Sequence, residues 1–371
     1  ICVHPVPFAI QSFIGSVNEG QLRPCAVWLL LRADPRTFRS MRCLVFVFLA
    51  ACLRAEDIRF VSESVQMAVP FRITLYAKDE ATGKAAVDAA LARVEALNAM
   101  LSDYAPQSEI NLLSLTSGTG KAVRVSPDLW NVLETSQHIA ELTDGAFDVT
   151  VGPLVNVWRR ARRQKKMPDL DMIERMKARS GWQHMKLDAA KHTVELDVPE
   201  MHLDVGGMAK GYVVDQTLKV LKEHGITRAV VAASGDIGAS DAPPDAPGWR
   251  IMISPLDVDG APPPRYVMLK NSAVSTSGDS HQRVEIQGVR YSHIVDPRTG
   301  IGITDHSLVT VLAPDCTTTD LLETTVTVLG PEAGMKLIEG MDKVACYLIR
   351  KPGDKIEQRE SPRWKELAKD E

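Results

Sequence analysis

Apolar and polar positions along this chain alternate in two registers, and the switches between them mark its elements. From Val69 to Ala77 (VPFRITLYA) the pattern has the two-residue period of a strand. From Lys78 to Met100 the residues Ala85, Val87, Leu91, Val94 and Leu97 recur at helical spacing. The next stretch, LSDYAPQSEINLLS, is loop and capping chemistry, with Ser108 as the N-cap of a short helix and Tyr104 as a loop aromatic able to stack on a planar ligand or to pack half-buried. Pro127 to Leu142 predicts a second amphipathic helix, which Gly145 closes. A largely apolar run, AFDVTVGPLVNVW, follows and carries Asp148 either toward a loop or into a site.

Met172 to Arg179 reads as a short helix, and Met185 to Leu203 as a strand pair whose second arm ends in LDVGGMAKGYVVD. That stretch predicts a strand closed by Asp204, a tight turn at Gly206 and Gly207, and a helix from Lys210 to Leu221. Glycine admits a ligand close to the backbone, and the free N–H groups of a helix start favour anions such as phosphate. Ala229 to Ala233 is a short buried strand ending in Ser234-Gly235-Asp236, and STSGD (Ser275 to Asp279) is a further polar, glycine-containing strand end. Trp249 to Ser254 and Arg265 to Leu269 are also strands, and Gln287-Gly288 has the composition of a hairpin turn. His293 and Asp296 share the returning arm RYSHIVDPRTG. Thr317 to Leu329 is a helix on which Asp320 and Thr324, four apart, lie on one face as hard oxygen ligands, unless Asp320 serves only the helix dipole. Helices and hairpin-like strands mix without strict βα alternation, so the class is α+β, with mixed, largely antiparallel sheets and flanking helices. One folded unit is expected over residues 57–366.

Residues 1–40 show no sustained period and read as an upstream extension, with Met41 as the expected start. From there, Arg42 and the apolar run CLVFVFLAA resemble a signal sequence over residues 41–55, too short to span a bilayer. Leu49-Ala50-Ala51-Cys52 looks like a lipobox, which would lipidate Cys52; cleavage after Ala55 is the rival reading. Export to the periplasmic side of a bacterial membrane is the expected localisation.

The whole sequence has 371 residues, 45% of them apolar, and a net charge of −4 with 5% aromatics, which gives no electrostatic or stacking case for nucleic acid. Its strongest charge run, RRARRQKK (Arg159 to Lys166), reads as a solvated helix face. Cys316 and Cys346, the two cysteines beyond residue 52, read as buried thiols.

Seven stretches in order, SDYAPQSEIN, DGAFDVTVGPLVNVW, LDVGGMAKGYVVD, ASGDI, STSGD, HIVDPRTG and TDLLETTVTVLG, resemble the ApbE-type flavin transferases, the FAD:protein FMN transferases. The resemblance covers roughly residues 65–350 and implies an ApbE-like, T-fold-related architecture. It implies an enzyme that binds FAD and Mg²⁺ and transfers FMN through a phosphoester bond to a threonine or serine of a target protein, releasing AMP. Subunits of sodium-pumping quinone reductases are the acceptor class it points to. Carried over residue by residue, it puts Met67, Tyr104, Ala146, Phe147, Asp148, Asp204, Lys210 and Ile294 along the FAD site. It assigns the metal to the Gly207 carbonyl and the side chains of Asp320 and Thr324, and the transfer step to His293. The chain departs from the family pattern at Met67-Ala68-Val69, where Met-Gly-Thr is common, and at Glu323, where the family often has alanine. Glu323 is then either solvent-facing or an extra carboxylate that alters metal preference or number. Two other activities remain open on sequence: an FAD pyrophosphatase yielding FMN and AMP, and a non-catalytic flavin-binding lipoprotein.

Overall fold

A computed structural model describes residues 57–278 and 283–368. The upstream extension, the signal segment with Cys52, and Asp279 of STSGD lie outside the described residues. The chain divides into Ile1–Asp57 and Ile58–Glu371, and all the elements named below belong to the second unit.

Strands β1 (Ile58–Gln66) and β2 (Val69–Ala77) form a hairpin that turns at Met67 and Ala68, both at positive φ. Helix α1 (Glu80–Leu101) starts where the Asp79 side chain accepts the Thr82 N–H, and α2 (Glu109–Ser114) where Ser108 accepts that of Asn111. After β3 (Val123–Arg124), α3 (Pro127–Leu142) is capped by Ser126 and closed by Gly145, whose N–H reaches the Ala140 carbonyl from the left-handed region at φ 73°. Helices α4 (Gly152–Gln164) and α5 (Leu170–Lys177) lead to β4 (Met185–Asp188) and β5 (Thr193–Leu196), which form a small sheet with β3.

The rest of the chain begins with α6 (Ala209–Glu223), β6 (Ala229–Ala233) and β7 (Asp236–Ala239), followed by the paired β8 (Trp249–Ile253) and β9 (Arg265–Leu269). Next come β10 (Ser272–Gly278) and a hairpin of β11 (Arg283–Ile286) and β12 (Val289–Ser292), turning at Gln287 and Gly288 with φ of 53° and 77°. A short pair, β13 (Val295–Asp296) and β14 (Ile301–Gly302), precedes β15 (Ser307–Ala313). Helix α7 (Cys316–Glu339) then leads to β16 (Ala345–Arg350), β17 (Glu357–Glu360) and α8 (Trp364–Ala368).

Eight strands make one sheet in the order β1-β2-β6-β7-β10-β15-β16-β17, with every neighbouring pair antiparallel. Both faces are covered, so the central strand β15 is buried throughout. Its Val309 and Val311 face the core shared with α1, α6 and α7, while Leu308 and Leu312 face a second core built with Trp249, Leu269 and Trp364. The architecture is α+β, as the sequence pattern predicts.

Two local expectations are corrected. The β4–β5 pair ends at Leu196, and Leu203-Asp204 is not a strand: the region contributes only an isolated bridge between His202 and Val151. Leu203 and Val205 are apolar because they are buried as loop residues, and the Leu203 N–H is taken by Ser114 Oγ and that of Asp204 by the Val149 carbonyl. In α7 the helix breaks at Gly330 (φ 77°, ψ 178°), one residue past the predicted end, and resumes from Pro331 in a geometry glycine permits.

Candidate active site

The site begins with the close crossing of α6 and α7. A β-carbon on Gly211 would collide with the Cys316 carbonyl oxygen and lie 2.8 Å from Asp320 Cβ, so the bare backbone is what lets the helices meet. Asp215, on the same helix, fixes the register. Its oxygens accept the Cys316 N–H at 2.8 Å, the Thr317 N–H at 2.8 Å and the Thr317 hydroxyl at 2.6 Å. Burial pushes its carboxyl up to about 6 against the pull of those bonds.

This crossing brings Lys210 onto the face of α7. Its Nζ lies 3.0 Å from Asp320 Oδ1 and 2.9 Å from Asp236 Oδ2 at the start of β7, and 26% of its side chain stays accessible. Asp320, fully buried, also accepts the Gly211 N–H at 2.9 Å. Glu323 is only 4% exposed; one of its oxygens accepts the Thr324 hydroxyl at 3.3 Å and the other has no partner. Asp236, Asp320 and Glu323 each bring an oxygen within 4.8 Å of the other two. Three carboxylates therefore face one ammonium. Burial, reinforced by the Asp236 charge and opposed by Lys210, raises Asp320 to about 6, and burial with the charges of Asp320 and Asp236 holds Glu323 well above its usual range. Lys210 loses solvation, yet Asp236 and Asp320 outweigh that loss and hold its ammonium firmly charged.

The glycine turn forms the rim. A β-carbon on Gly207 would meet Phe147 Cε2 at 3.1 Å and Thr324 Oγ1 at 3.3 Å, which brings the turn against two of the predicted site residues. Asp204 accepts the Gly206 N–H at 2.9 Å and pairs with Arg159 at 3.0 Å. Arg159 also bonds Asp103, and its guanidinium lies 4.4 Å from the centre of the Tyr104 ring. One arginine thus ties the Tyr104 loop to the glycine turn. Burial and the Asp103 charge raise the Asp204 carboxyl, with Arg159 opposing. Tyr104 is 75% exposed and lines a groove of about 570 Å³ with Asn111, Leu115, Met201 and His202.

Among the other predicted residues, Asp148 spends its carboxylate on its own loop. It accepts the Thr150 N–H and hydroxyl at 2.8 and 2.7 Å and the Trp182 N–H at 2.9 Å, and so holds the backbone behind Phe147. Ala146 and Ile294 pack with Val328, one turn beyond Thr324, which carries the half-buried His293 to the same stretch of α7. Met67 packs against the main core at the β1–β2 turn, at the end of the sheet where Ser234 bonds Pro70.

Three residues outside the predicted set take part. Asp236 was visible as an acid beside a glycine at a strand end, but nothing in the sequence showed that it would meet α7. Glu323 is a buried member of the cluster, which removes its solvent-facing reading. Arg159 was hidden in the charge run, of which Arg160, Arg163, Lys165 and Lys166 are indeed exposed while Arg159 turns inward.

The sequence matches the pattern of the ApbE family over residues 67–348, about three quarters of its length. The chain belongs to the ApbE family. It is 34% identical over 248 residues to the FAD:protein FMN transferase of Escherichia coli strain K12, covering 65% of this chain and 70% of that protein. It is 30% identical over 312 residues to that of Klebsiella pneumoniae strain 342, covering 82% and 88%. Its fold resembles the apo flavinyl transferase ApbE of Pseudomonas stutzeri (TM-score 0.75, 26% identity, 84% of this chain and 98% of that one). It likewise resembles the flavin transferase ApbE of Vibrio cholerae (TM-score 0.75, 28% identity, 84% and 99%). The ApbE match encloses every residue of the acidic cluster and of the Arg159 rim.

Proposed function

We propose that this ApbE-family chain transfers FMN from FAD to a threonine or serine of a target protein and releases AMP. The carrying observation is the junction of α6, β7 and α7, where Lys210 and three carboxylates stand beside the Gly207 turn. The residues fit a magnesium ion: Asp236, Asp320 and Glu323 converge their oxygens beside Thr324 and the Gly207 turn, one buried oxygen of Glu323 lacks a donor, and the carboxylates outnumber the ammonium, so that Asp320, Thr324 and the Gly207 carbonyl would hold the ion. When bound, Mg²⁺ neutralises diphosphate charge and polarises the phosphorus–oxygen bond.

The chain's own groups account for the rest. Lys210 offers a positive charge to the diphosphate, and the glycine turn lets that group approach the backbone. Tyr104, held by Arg159 and exposed to the groove, presents a ring face to the isoalloxazine. The acceptor hydroxyl oxygen attacks the phosphorus of the FMN half and forms the phosphoester, while the bridging P–O bond breaks and AMP leaves with the bridging oxygen. His293 takes the hydroxyl proton, acting as general base. The expected setting is the periplasmic side of a bacterial membrane, with Cys52 as a lipid anchor and exported electron-transfer subunits as acceptors.

Incubation with FAD, Mg²⁺ and a threonine-bearing acceptor domain, followed by in-gel flavin fluorescence, tests this reading. Covalent fluorescence on the acceptor is expected, with His293→Ala slowing transfer by on the order of 10²- to 10⁴-fold while FAD affinity changes little. Release of FMN and AMP with no labelled acceptor would replace the transferase by the pyrophosphatase. Retention of intact FAD without turnover would leave a flavin-binding protein.

A further inference from the structure

We infer that Glu323, with Asp236 and Asp320, forms a three-carboxylate site that binds a divalent cation in the absence of FAD. The ligand set implied by resemblance, Gly207, Asp320 and Thr324, contains one carboxylate and depends on nucleotide phosphate to complete its charge. Here the same face carries two more. Glu323 is 4% exposed and its Oε2 has no hydrogen-bond donor, although burying an unpaired carboxylate oxygen is costly. The Oε1 atom has only the 3.3 Å contact with the Thr324 hydroxyl. Asp236 and Asp320, by contrast, each have an oxygen on Lys210, and Asp320 also has the Gly211 amide. The unmatched group is therefore Glu323, and it lies where the other two acids converge.

A cation bound at about 2.0–2.1 Å sets opposed oxygens about 4.2 Å apart. The three acids already bring an oxygen each within 4.8 Å of one another, so small side-chain adjustments suffice to place all three on one ion. Lys210 supplies one positive charge, and a divalent ion supplies the other two once all three acids have given up their protons to bind it. Oxygen-only ligation selects Mg²⁺ or Mn²⁺ over softer metals. This inference deepens the magnesium assignment above, but it concerns binding alone and needs neither FAD nor an acceptor.

The test is titration of the full-length, FAD-free protein with Mn²⁺, reading free ion by electron paramagnetic resonance, with Mg²⁺ as competitor. The wild type is expected to bind one Mn²⁺ that Mg²⁺ displaces. Glu323→Gln, which keeps the shape, and Glu323→Ala, the residue the family pattern favours, should each weaken binding by more than about tenfold, the lower end of what even outer partners of a metal cost. Thermal melts of both metal-free variants at or above the wild-type temperature are expected, since an uncompensated buried carboxyl has been removed. Mn²⁺ should raise the wild-type melting temperature more than theirs. Absence of Mn²⁺ binding without FAD, or equal affinities in all three proteins, overturns the site. If the site stands while transfer fails, only the catalytic reading is lost.

Discussion

Asp215 and Asp320 sit on the same pair of crossing helices, the first partly and the second fully buried, and are solvated by the protein in opposite ways. Asp215 receives three donors from the first turn of α7 and nothing is left to bind. Asp320 shares one ammonium with Asp236 and stands beside Glu323, whose second oxygen receives no donor. Asp148 belongs with Asp215, its carboxylate occupied by Thr150 and Trp182. A buried carboxylate completely supplied with donors from its own chain positions the backbone. One left short of positive charge is available to a ligand. Burial alone does not separate the two kinds; the supply of donors does.

The largest effect of substitution is expected at Asp320. Asp320→Ala is expected to lower transfer by at least 10²- to 10³-fold, the usual cost of losing one electrostatic contact to the reacting group, while circular dichroism stays native. Lys210→Met, next in size, should weaken FAD binding by roughly 10- to 100-fold, as for loss of a charged hydrogen bond, measured by flavin fluorescence quenching. Asp215→Ala should behave as the opposite kind. It should cost about 2–3 kcal/mol in urea unfolding through the loss of the acceptor for the Cys316 and Thr317 donors at the start of α7, with Mn²⁺ affinity kept within a few-fold.

Asp215 also makes stability depend on pH. Because burial raises the Asp215 carboxyl from 3.8 to about 6, the folded protein between those values holds a proton that the unfolded chain has released. Its contribution to stability is therefore fullest below pH 4 and declines as pH rises toward 6, by on the order of 2–3 kcal/mol. Urea midpoints for Asp215→Asn should show a flatter dependence across that range than the wild type. The smallest effect is expected at the rim: Arg159→Ala should raise the KM for FAD about fivefold through a looser Tyr104 loop, with kcat retained, as befits a partly accessible ion-pair network.

Much of the framework was legible because local chemistry and tertiary context agree. Val69–Ala77 and Pro127–Leu142 fall on the predicted residues, and Gln287-Gly288 makes the predicted turn. At Leu203-Asp204 they disagree: apolar character there reports burial of a loop, which periodicity cannot distinguish from strand pairing. The charge run at Arg159 pointed to a helix face, but the apolar run before it carried no helix start, although Pro153 is well suited to the first turn of the helix that begins at Gly152. The pairing of Lys210 with Asp320 joins residues 110 apart, and spacing holds no information about such a contact. Resemblance brought those two together and marked Glu323 as a departure with two open readings, but it passed over Asp236 and Arg159, whose parts depend on which side chains the fold leaves short of partners.

The most direct measurement is intact-mass analysis of an acceptor domain co-expressed with the wild type or with Asp320→Ala. The account predicts an acceptor heavier by one FMN less one water with the wild type, located on a threonine or serine, and an unmodified acceptor with the variant. An acceptor flavinylated equally by both, or by neither while the wild type retains FAD and Mg²⁺, would contradict the assignment of the under-neutralised cluster to FMN transfer.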